Sequence, residues 1–186
     1  RVSRLVQVAP PLGGRLRLSM HRRGALSNLF IEPQPPFARD VGEGEAELSI
    51  RAVGLNFRDV LNVLGEYPGD PGPPGGDCSG IVRAEGLRAC RLLDCSVVGL
   101  AHAPMASLAR GSARLLARKP EHLSFEQVST LPVVWSTAHV AFARASVTAG
   151  VRVLVHAAAG GVGLKALEYS SWLRARSLAS ASSPHK

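Results

Sequence analysis

The stretch VLVHAAAGGVGLKALEYSS, Val153 to Ser171, constrains the fold of this chain more than any other. The valine-rich segment Val151 to His156 predicts a buried strand, and a turn built of alanine and glycine follows it. Residues from Val162 to about Arg174 have helical apolar spacing, and SLASAS after them predicts a second strand. A strand, a crossover helix and a second strand predict the opening of a parallel sheet with helices.

The turn itself has small residues at Ala157, Gly160 and Gly163, an AxxGxxG spacing that departs from the usual GxGxxG pattern. Small side chains let a backbone approach a pyrophosphate, and the free N–H groups of the following helix point at the phosphates. Gly163 would also let the helix pack closely on the strand. We predict that the dinucleotide contacts come from Ala159, Gly160, Gly161, Val162 and Gly163. The alternative is a tight strand-to-helix turn without a ligand.

The end of the second predicted strand bears on which dinucleotide is bound. An acidic residue at that place holds the ribose hydroxyls of NAD, but this chain has Ser182, Ser183, His185 and Lys186 there and no acid. A lysine and hydroxyls favour the 2′-phosphate of NADP. We therefore predict NADPH as the cofactor, with Ser182 and Lys186 at its 2′-phosphate; the alternative for Lys186 is a solvated lysine.

The upstream part of the chain consists mainly of short strands and turns. Glu45 to Val53 alternates apolar and polar residues, as a half-buried strand does, and Arg15 to Met20 also alternates. Asn56 is a good N-cap for a short helix, FRDVLNVL, that ends at Gly65. Two more helices are predicted. The capping box of Ser124 and Gln127 indicates the start of the first, and the second begins at Pro132 and ends near Gly150.

Composition limits the class of protein. The 186 residues are 46% hydrophobic without an apolar run long enough to span a membrane, and no signal-peptide pattern is present. Three cysteines, Cys78, Cys90 and Cys95, favour neither a disulfide framework nor structural zinc, so we expect a reducing cytoplasmic or organellar interior. The net charge of +8 comes mostly from scattered arginines, and aromatic content is 5%. Nucleic-acid binding is therefore disfavoured, and an acidic carrier, a phosphate-rich ligand or a larger assembly explains the charge as well.

The stretches LNFRDVLN and HAAAGGVG, in this order and spacing, resemble the enoyl reductase domain of polyketide synthases. The likeness extends from about Leu12 to Lys186. That domain is similar to zinc-independent quinone oxidoreductases within the medium-chain dehydrogenase/reductase superfamily. The resemblance implies a mixed α/β fold: a GroES-like partly open β-barrel in residues 1–140, then the first β-α-β of a Rossmann domain in residues 141–186, incomplete at its C-terminal end.

The resemblance also implies a reaction, hydride transfer from NADPH to an α,β-unsaturated thioester on an acyl carrier, followed by protonation of the α-carbon. Asn56 and Thr137 would lie near the nicotinamide. Tyr67 matches a tyrosine implicated in donating the α-proton, and a phenol beside an enolate can do so. Relatives with catalytic zinc place a Cys and a Gly-His-Glu where this chain has Leu55-Asn56-Phe57 and Gly76-Asp77-Cys78, so we predict no catalytic metal.

Three functional hypotheses remain open. The chain is a fragment of a working NADPH-dependent enoyl reductase, because the family's Rossmann domain continues well beyond a second strand. Alternatively, it is a truncated, catalytically inactive relative that serves as a structural or accessory subunit of a larger assembly. The third hypothesis, a nucleic-acid-associated subunit, rests on the net charge alone.

Overall fold

The computed structural model describes residues 14–89 and 91–182, so the predictions for Cys90 and Lys186 lie outside the described residues. Strands and helices alternate irregularly along the chain. The strands are β1 Leu16–Met20, β2 Leu29–Pro33, β3 Glu45–Val53, β4 Asp77–Glu85, β5 Ser96–Leu100, β6 Leu108–Ser112, β7 Leu116–Arg118, β8 Arg152–Val155 and β9 Arg176–Ala179. The helices are α1 Phe57–Leu64, α2 Phe125–Ser129, α3 Pro132–Arg144 and α4 Gly161–Trp172.

Most of the strands form an antiparallel sheet in the order β6-β3-β4-β5-β7. Its longest strands, β3 and β4, pair along most of their length, with register shifts after Glu47 and after Ile50 that bend the sheet. The alternation predicted for β3 places Ala46 and Leu48 in a core with Val82 and Val97. A second antiparallel pair, β1 and β2, is joined to the loop before β6 by a bridge between Arg17 and Ala106.

The C-terminal elements form a separate, parallel pair. β8 and β9 pair in parallel, and α4 connects them as the predicted crossover helix. α3 and α4 pack together, and their core is formed by Ala138, Phe142, Val155, Ala158 and Ala166. The predicted mixed α/β class, with strands first and a β-α-β unit after them, is therefore confirmed.

The sequence patterns failed at some element boundaries. β6 and β7 were not predicted, because β6 reads LARGS and lacks the apolar alternation of a strand. α3 ends at Arg144 and not near Gly150, whose positive φ of 82° belongs to the turn before β8. The domain boundary predicted between residues 140 and 141 falls inside α3 and stays a prediction. No helix in residues 14–89 and 91–182 has the length and apolarity needed to cross a membrane.

The helix α1 has an inverted distribution of polar and apolar side chains. Its apolar residues Phe57, Val60 and Leu64 are exposed, whereas Asp59 and Asn62 are buried together with Val63. The buried groups are satisfied by the loop after the helix: Asp59 Oδ1 accepts the Gly75 N–H at 2.7 Å, and Asn62 Nδ2 donates to the Gly72 carbonyl at 3.0 Å. α1 therefore organises the glycine- and proline-rich loop through its polar face.

Candidate functional site

The turn between β8 and α4 is held by backbone hydrogen bonds on both sides. Ala157 has a φ of 52°, in the left-handed region, and its carbonyl accepts the Gly160 N–H at 2.9 Å. Ala158 donates to the Ser180 carbonyl at 2.9 Å, and Ser180 donates to Val155 at 3.0 Å. The turn and the exit of β9 are thus tied together, which places them at the carboxyl edge of the parallel pair, where ligands bind in open α/β sheets.

Gly163 is the point where α4 approaches the turn most closely. A Cβ at this position would lie 2.4 Å from the Ala157 carbonyl oxygen and 2.7 Å from the Ala158 Cα. Both neighbours are backbone atoms, so they cannot move aside as a flexible side chain can. The close packing predicted for Gly163 is present, and it lets the first turn of α4 sit directly on the β8 exit.

A cavity of about 540 Å³ opens beside this turn. It is lined by Ala157, Ala159, Gly160, Ala181 and Ser182. Gly160 is the N-cap of α4 with extended backbone, and the first N–H groups of any helix have no partner within it. None of the five lining residues is acidic, so the cavity combines small side chains, a hydroxyl and a positive helix end, which suits a bound anion.

Asn56 lies at the start of α1 and is held by two carboxylates. Its backbone N–H donates to Asp59 Oδ2 at 2.8 Å, and its side-chain Nδ2 donates to Asp77 Oδ2 at 3.0 Å. The other oxygen of Asp77 accepts the backbone N–H of Val133 at 3.0 Å. Burial raises the pKa of Asp77, and the hydrogen bonds from Asn56 and Val133 act in the opposite direction.

The first turns of α3 connect Asn56 with the glycine turn. Val133 is bound to Asp77, as described above, and its neighbour Val134 faces α4: a Cβ on Gly161 would lie 3.6 Å from Val134 Cγ1. Thr137 is exposed one turn further along the same helix, on the side of Val133 and Val134. The structure therefore brings Asn56 and the glycine turn to the first turn of α3, and Thr137 lies on the same side of that helix.

Tyr67 lies in the loop after α1, and its described contacts are with that helix. Its backbone N–H donates to the Leu61 carbonyl at 3.2 Å, its ring is half-buried, and the Arg58 guanidinium lies 5.7 Å from the ring centre. Arg58 also donates to the Pro71 carbonyl and so braces the loop. None of the contacts described for Tyr67 reaches Asn56, Thr137 or the glycine turn.

The sequence patterns missed the polar residues that support these positions, namely Asp59, Asn62 and Asp77. A polar residue amid apolar neighbours was the available signal, since Asp59 and Asn62 stand next to the apolar residues Val60, Leu61 and Val63. Among the residues that the structure describes, no group of three His, Cys, Asp or Glu side chains could hold a metal ion. Cys78 is buried, and burial raises its pKa to about 12, so the thiol is protonated and a poor metal ligand at neutral pH.

Similar proteins are polyketide synthases. No protein-family model matches the chain. Erythronolide synthase EryA2 of Saccharopolyspora erythraea is 38% identical over 160 residues, and pikromycin synthase component PikAII of Streptomyces venezuelae is 42% identical over 157. These alignments cover 85% and 82% of this chain and 4% of each relative. A highly reducing polyketide synthase of Didymella fabae is 35% identical over 191 residues, which covers 100% of this chain and 10% of the synthase.

Similar solved structures are reductases. The CurK enoyl reductase superposes with a TM-score of 0.83 at 32% identity, and the JamJ enoyl reductase in its apo form with 0.80 at 28%. Mycobacterial Rv1454c complexed with NADPH gives 0.78 at 28%. Each comparison covers 92% or 93% of this chain but only 54% or 55% of the solved one, so the chain spans about half of these structures. The resemblance carried by the sequence motifs is confirmed.

Proposed function

We propose that this chain serves NADPH-dependent reduction of an α,β-unsaturated acyl thioester. Its homologues are polyketide synthases. Its structural neighbours are enoyl reductases and quinone oxidoreductases of the medium-chain dehydrogenase/reductase superfamily. The chain supplies the barrel-like unit and the first β-α-β unit of such an enzyme. The substrate is an enoyl thioester on an acyl carrier, and the setting is a larger biosynthetic assembly.

The cavity beside the N-terminus of α4 is the observation that carries this proposal. Its small lining residues leave the backbone accessible, and the helix end attracts phosphate oxygens. Ala159, Gly160, Gly161 and Val162 would hold the pyrophosphate. Ser182 lines the same cavity and would reach the 2′-phosphate with Lys186. NADPH, when bound, supplies the hydride; the residues of this chain hold and orient it.

The part of the site that surrounds the nicotinamide would be formed by the barrel-like unit, which contains the antiparallel sheet and α1. Asn56 would contact the nicotinamide, and Thr137 on α3 would lie close to it, because the first turn of α3 meets both Asp77, which holds Asn56, and the start of α4. Tyr67 would give its phenolic proton to the α-carbon after hydride addition at the β-carbon. Since the loop that carries Tyr67 is fixed by Asp59 and Asn62, its position depends on the polar face of α1.

Binding of 2′,5′-ADP and NADPH tests the cofactor part directly. The exposed Ala159 lines the cavity, so Ala159→Asp places a carboxylate among the proposed phosphate contacts while suiting the positive helix end. Ala159→Asn is the matched control, with the same shape and no charge. We expect calorimetry to show at least tenfold weaker binding in the Asp variant than in the Asn variant. Equal affinities would contradict a phosphate site at this turn.

The proposed reaction with an enoyl thioester is tested by following the loss of NADPH absorbance in the presence of an enoyl pantetheine thioester. The assay compares the wild type with Tyr67→Phe. The variant removes only the hydroxyl, so we expect unchanged NADPH affinity together with a slower turnover or an altered configuration at a branched α-carbon. An unchanged rate and an unchanged product configuration would remove Tyr67 from the mechanism.

The second candidate, a catalytically inactive accessory subunit, is favoured by the exposed apolar residues of the β8-β9 pair, Leu154 and Leu178, and by exposed Trp172. Leu154 and Leu178 are register partners on one face of the two strands, and exposed apolar residues that lie together are typical of a surface that another protein covers. This candidate predicts a complex of fixed stoichiometry with a polyketide synthase polypeptide, whose reductive output does not change with Tyr67→Phe or Ala159→Asp. A loss of output in either variant would contradict it.

A further inference from the structure

Asp77, at the start of β4, is a buried carboxylate with both oxygens occupied. It is 1% exposed. Oδ1 accepts the Val133 N–H and Oδ2 accepts the Asn56 side-chain Nδ2, both at 3.0 Å. The backbone around it leaves little freedom, because a Cβ on Gly54 would lie 3.0 Å from the Asp77 Cβ and 2.1 Å from the Ser129 carbonyl oxygen. The carboxylate therefore stands in a fixed position between α1 and α3.

A fixed carboxylate decides which way a neighbouring amide must turn. The Asn side chain has a nitrogen that only donates and an oxygen that only accepts, whereas an ionised carboxylate only accepts. Turning the Asn56 amide over would put its oxygen against Asp77 and leave a buried carboxylate oxygen without its donor, which is costly. The nitrogen must therefore face Asp77, and the oxygen of the half-buried Asn56 must face away from it.

We propose that Asp77 is a positioning residue that fixes the Asn56 amide so that its oxygen is presented to the nicotinamide carboxamide of the cofactor. The Asn56 oxygen would then accept an N–H of that carboxamide, a contact that requires one orientation of the amide. The proposal rests on the proposed function, because Asn56 meets a nicotinamide only if the chain binds NADPH. It adds a residue that the sequence motifs did not assign to the site.

The substitution Asp77→Asn separates orientation from structure. Its oxygen still accepts the Val133 N–H, but its nitrogen now donates towards Asn56, so the Asn56 amide must turn over to offer its oxygen. The hydrogen bonds of residue 77 survive, but a turned-over Asn56 amide no longer offers its oxygen to the N3 backbone in the capping box of α1, so we expect a modestly lower thermal midpoint and an otherwise unchanged fold. The atom presented to the cofactor becomes a donor in place of an acceptor, and the NADPH affinity should fall about tenfold.

The double substitution Asn56→Asp with Asp77→Asn is the matched control. The hydrogen bond between the two side chains forms again with its direction reversed, the net charge is that of the wild type, and an oxygen faces the cofactor once more. We expect this variant to recover most of the NADPH affinity that Asp77→Asn loses. A double variant as weak as Asp77→Asn would contradict the role of the outward oxygen.

Two further ligands show whether the loss of NADPH affinity in Asp77→Asn involves the nicotinamide carboxamide. 2′,5′-ADP has no nicotinamide, so its affinity should be equal in the wild type and in Asp77→Asn. The 3-acetylpyridine analogue of NADPH has no carboxamide N–H, so the wild type should prefer NADPH and Asp77→Asn should lose that preference. An unchanged preference in Asp77→Asn would overturn the proposal. A wild type that binds neither NADPH nor 2′,5′-ADP would overturn the proposed function instead.

The amide orientation is measured without any cofactor. The Asn56 side-chain NH₂ should show slow hydrogen exchange in ¹⁵N spectra of the wild type, since it is bound to a buried carboxylate, and fast exchange in Asp77→Asn, where it faces outward. Equally fast exchange in both proteins would overturn the orientation part of the proposal, whatever the cofactor measurements give.

Discussion

The antiparallel sheet and the β8-α4-β9 unit differ in how completely their strand side chains are buried. In the antiparallel sheet, Leu48, Val82 and Val97 are completely buried by neighbouring strands and loops. In the parallel pair, α3 and α4 cover one side, but all four residues of β9 are exposed, and Leu178 is 63% exposed. Parallel sheets are usually covered on both faces, so within the described residues only the first unit has the cover that its architecture needs.

This difference predicts where the stability of the chain resides. Hydrophobic stabilisation grows with the apolar area removed from water, and most of the buried apolar residues in the described part of the chain belong to the antiparallel sheet and the segments packed on it. The parallel pair should open at a lower free energy than the antiparallel sheet, as regions with few buried apolar contacts do. The candidate cofactor cavity lies in the unit that we expect to be less stable, and Asn56 lies beside the antiparallel sheet.

The largest expected effect is the loss of a core side chain from the antiparallel sheet. Leu48→Ala removes a fully buried leucine, and we expect it to lower the free energy of unfolding by about 3 kcal/mol. Leu178→Ala in the parallel pair removes an exposed leucine and should cost less than about 0.5 kcal/mol. Urea unfolding of the two variants checks the contrast, and equal losses would show that both sheets are equally buried in solution.

Gly163→Ala should have the next largest effect, and it should be confined to the second unit. The added Cβ would meet backbone atoms of Ala157 and Ala158, so α4 must shift away from the turn, at a cost of about 1–3 kcal/mol. Gly161→Ala is the control, because its Cβ meets only a side-chain methyl of Val134 at 3.6 Å. Native-state hydrogen exchange should show faster exchange in α4 for Gly163→Ala alone. Faster exchange in β3 as well would mean that the two units unfold together.

The sequence predicts contacts between residues that are close along the chain better than contacts between distant residues. The capping box of Ser124 and Gln127, the left-handed Gly65 and the tight approach of Gly163 are local or short-range features, and the sequence predicts all three. In α1, the place of Asp59 and Asn62 among apolar residues was a signal, but their partners were not predictable, because these partners lie in a loop whose path depends on the tertiary fold. The role of Asp77 depends on Val133, 56 residues later, and no periodicity signals such a pair.

The antiparallel sheet and the β8-α4-β9 unit each contain an ion pair, and the pair in the sheet is less exposed. Arg110 and Glu47 meet at 2.7 Å with side chains 15% and 14% exposed, and the Arg110 guanidinium lies 4.0 Å from the Phe37 ring centre. Arg110→Met leaves Glu47 without its partner, and we expect a loss of about 1–2 kcal/mol. Lys165→Met, which breaks the more exposed pair with Glu168, should cost about 0.3 kcal/mol. Thermal unfolding at low and high salt measures both, and a similar loss in the two variants would contradict the contrast.

The smallest effect should appear at acid pH and in the first unit. Two guanidinium nitrogens of Arg39 donate to Glu45 at 2.8 Å each, and Gly42 donates its N–H at 2.9 Å. These hydrogen bonds, the one from Arg39 first, lower the pKa of Glu45 from 4.5 to about 2. Because the folded pKa is below the unfolded one, the stabilisation is complete above pH 4.5 and is lost as the pH falls through about 2.

Glu45 begins β3, so amide protection in β3 and β6 should decline over this range in the wild type and decline less in Glu45→Gln. Identical pH profiles for the two proteins would show that Glu45 titrates in the folded chain as it does in the unfolded one.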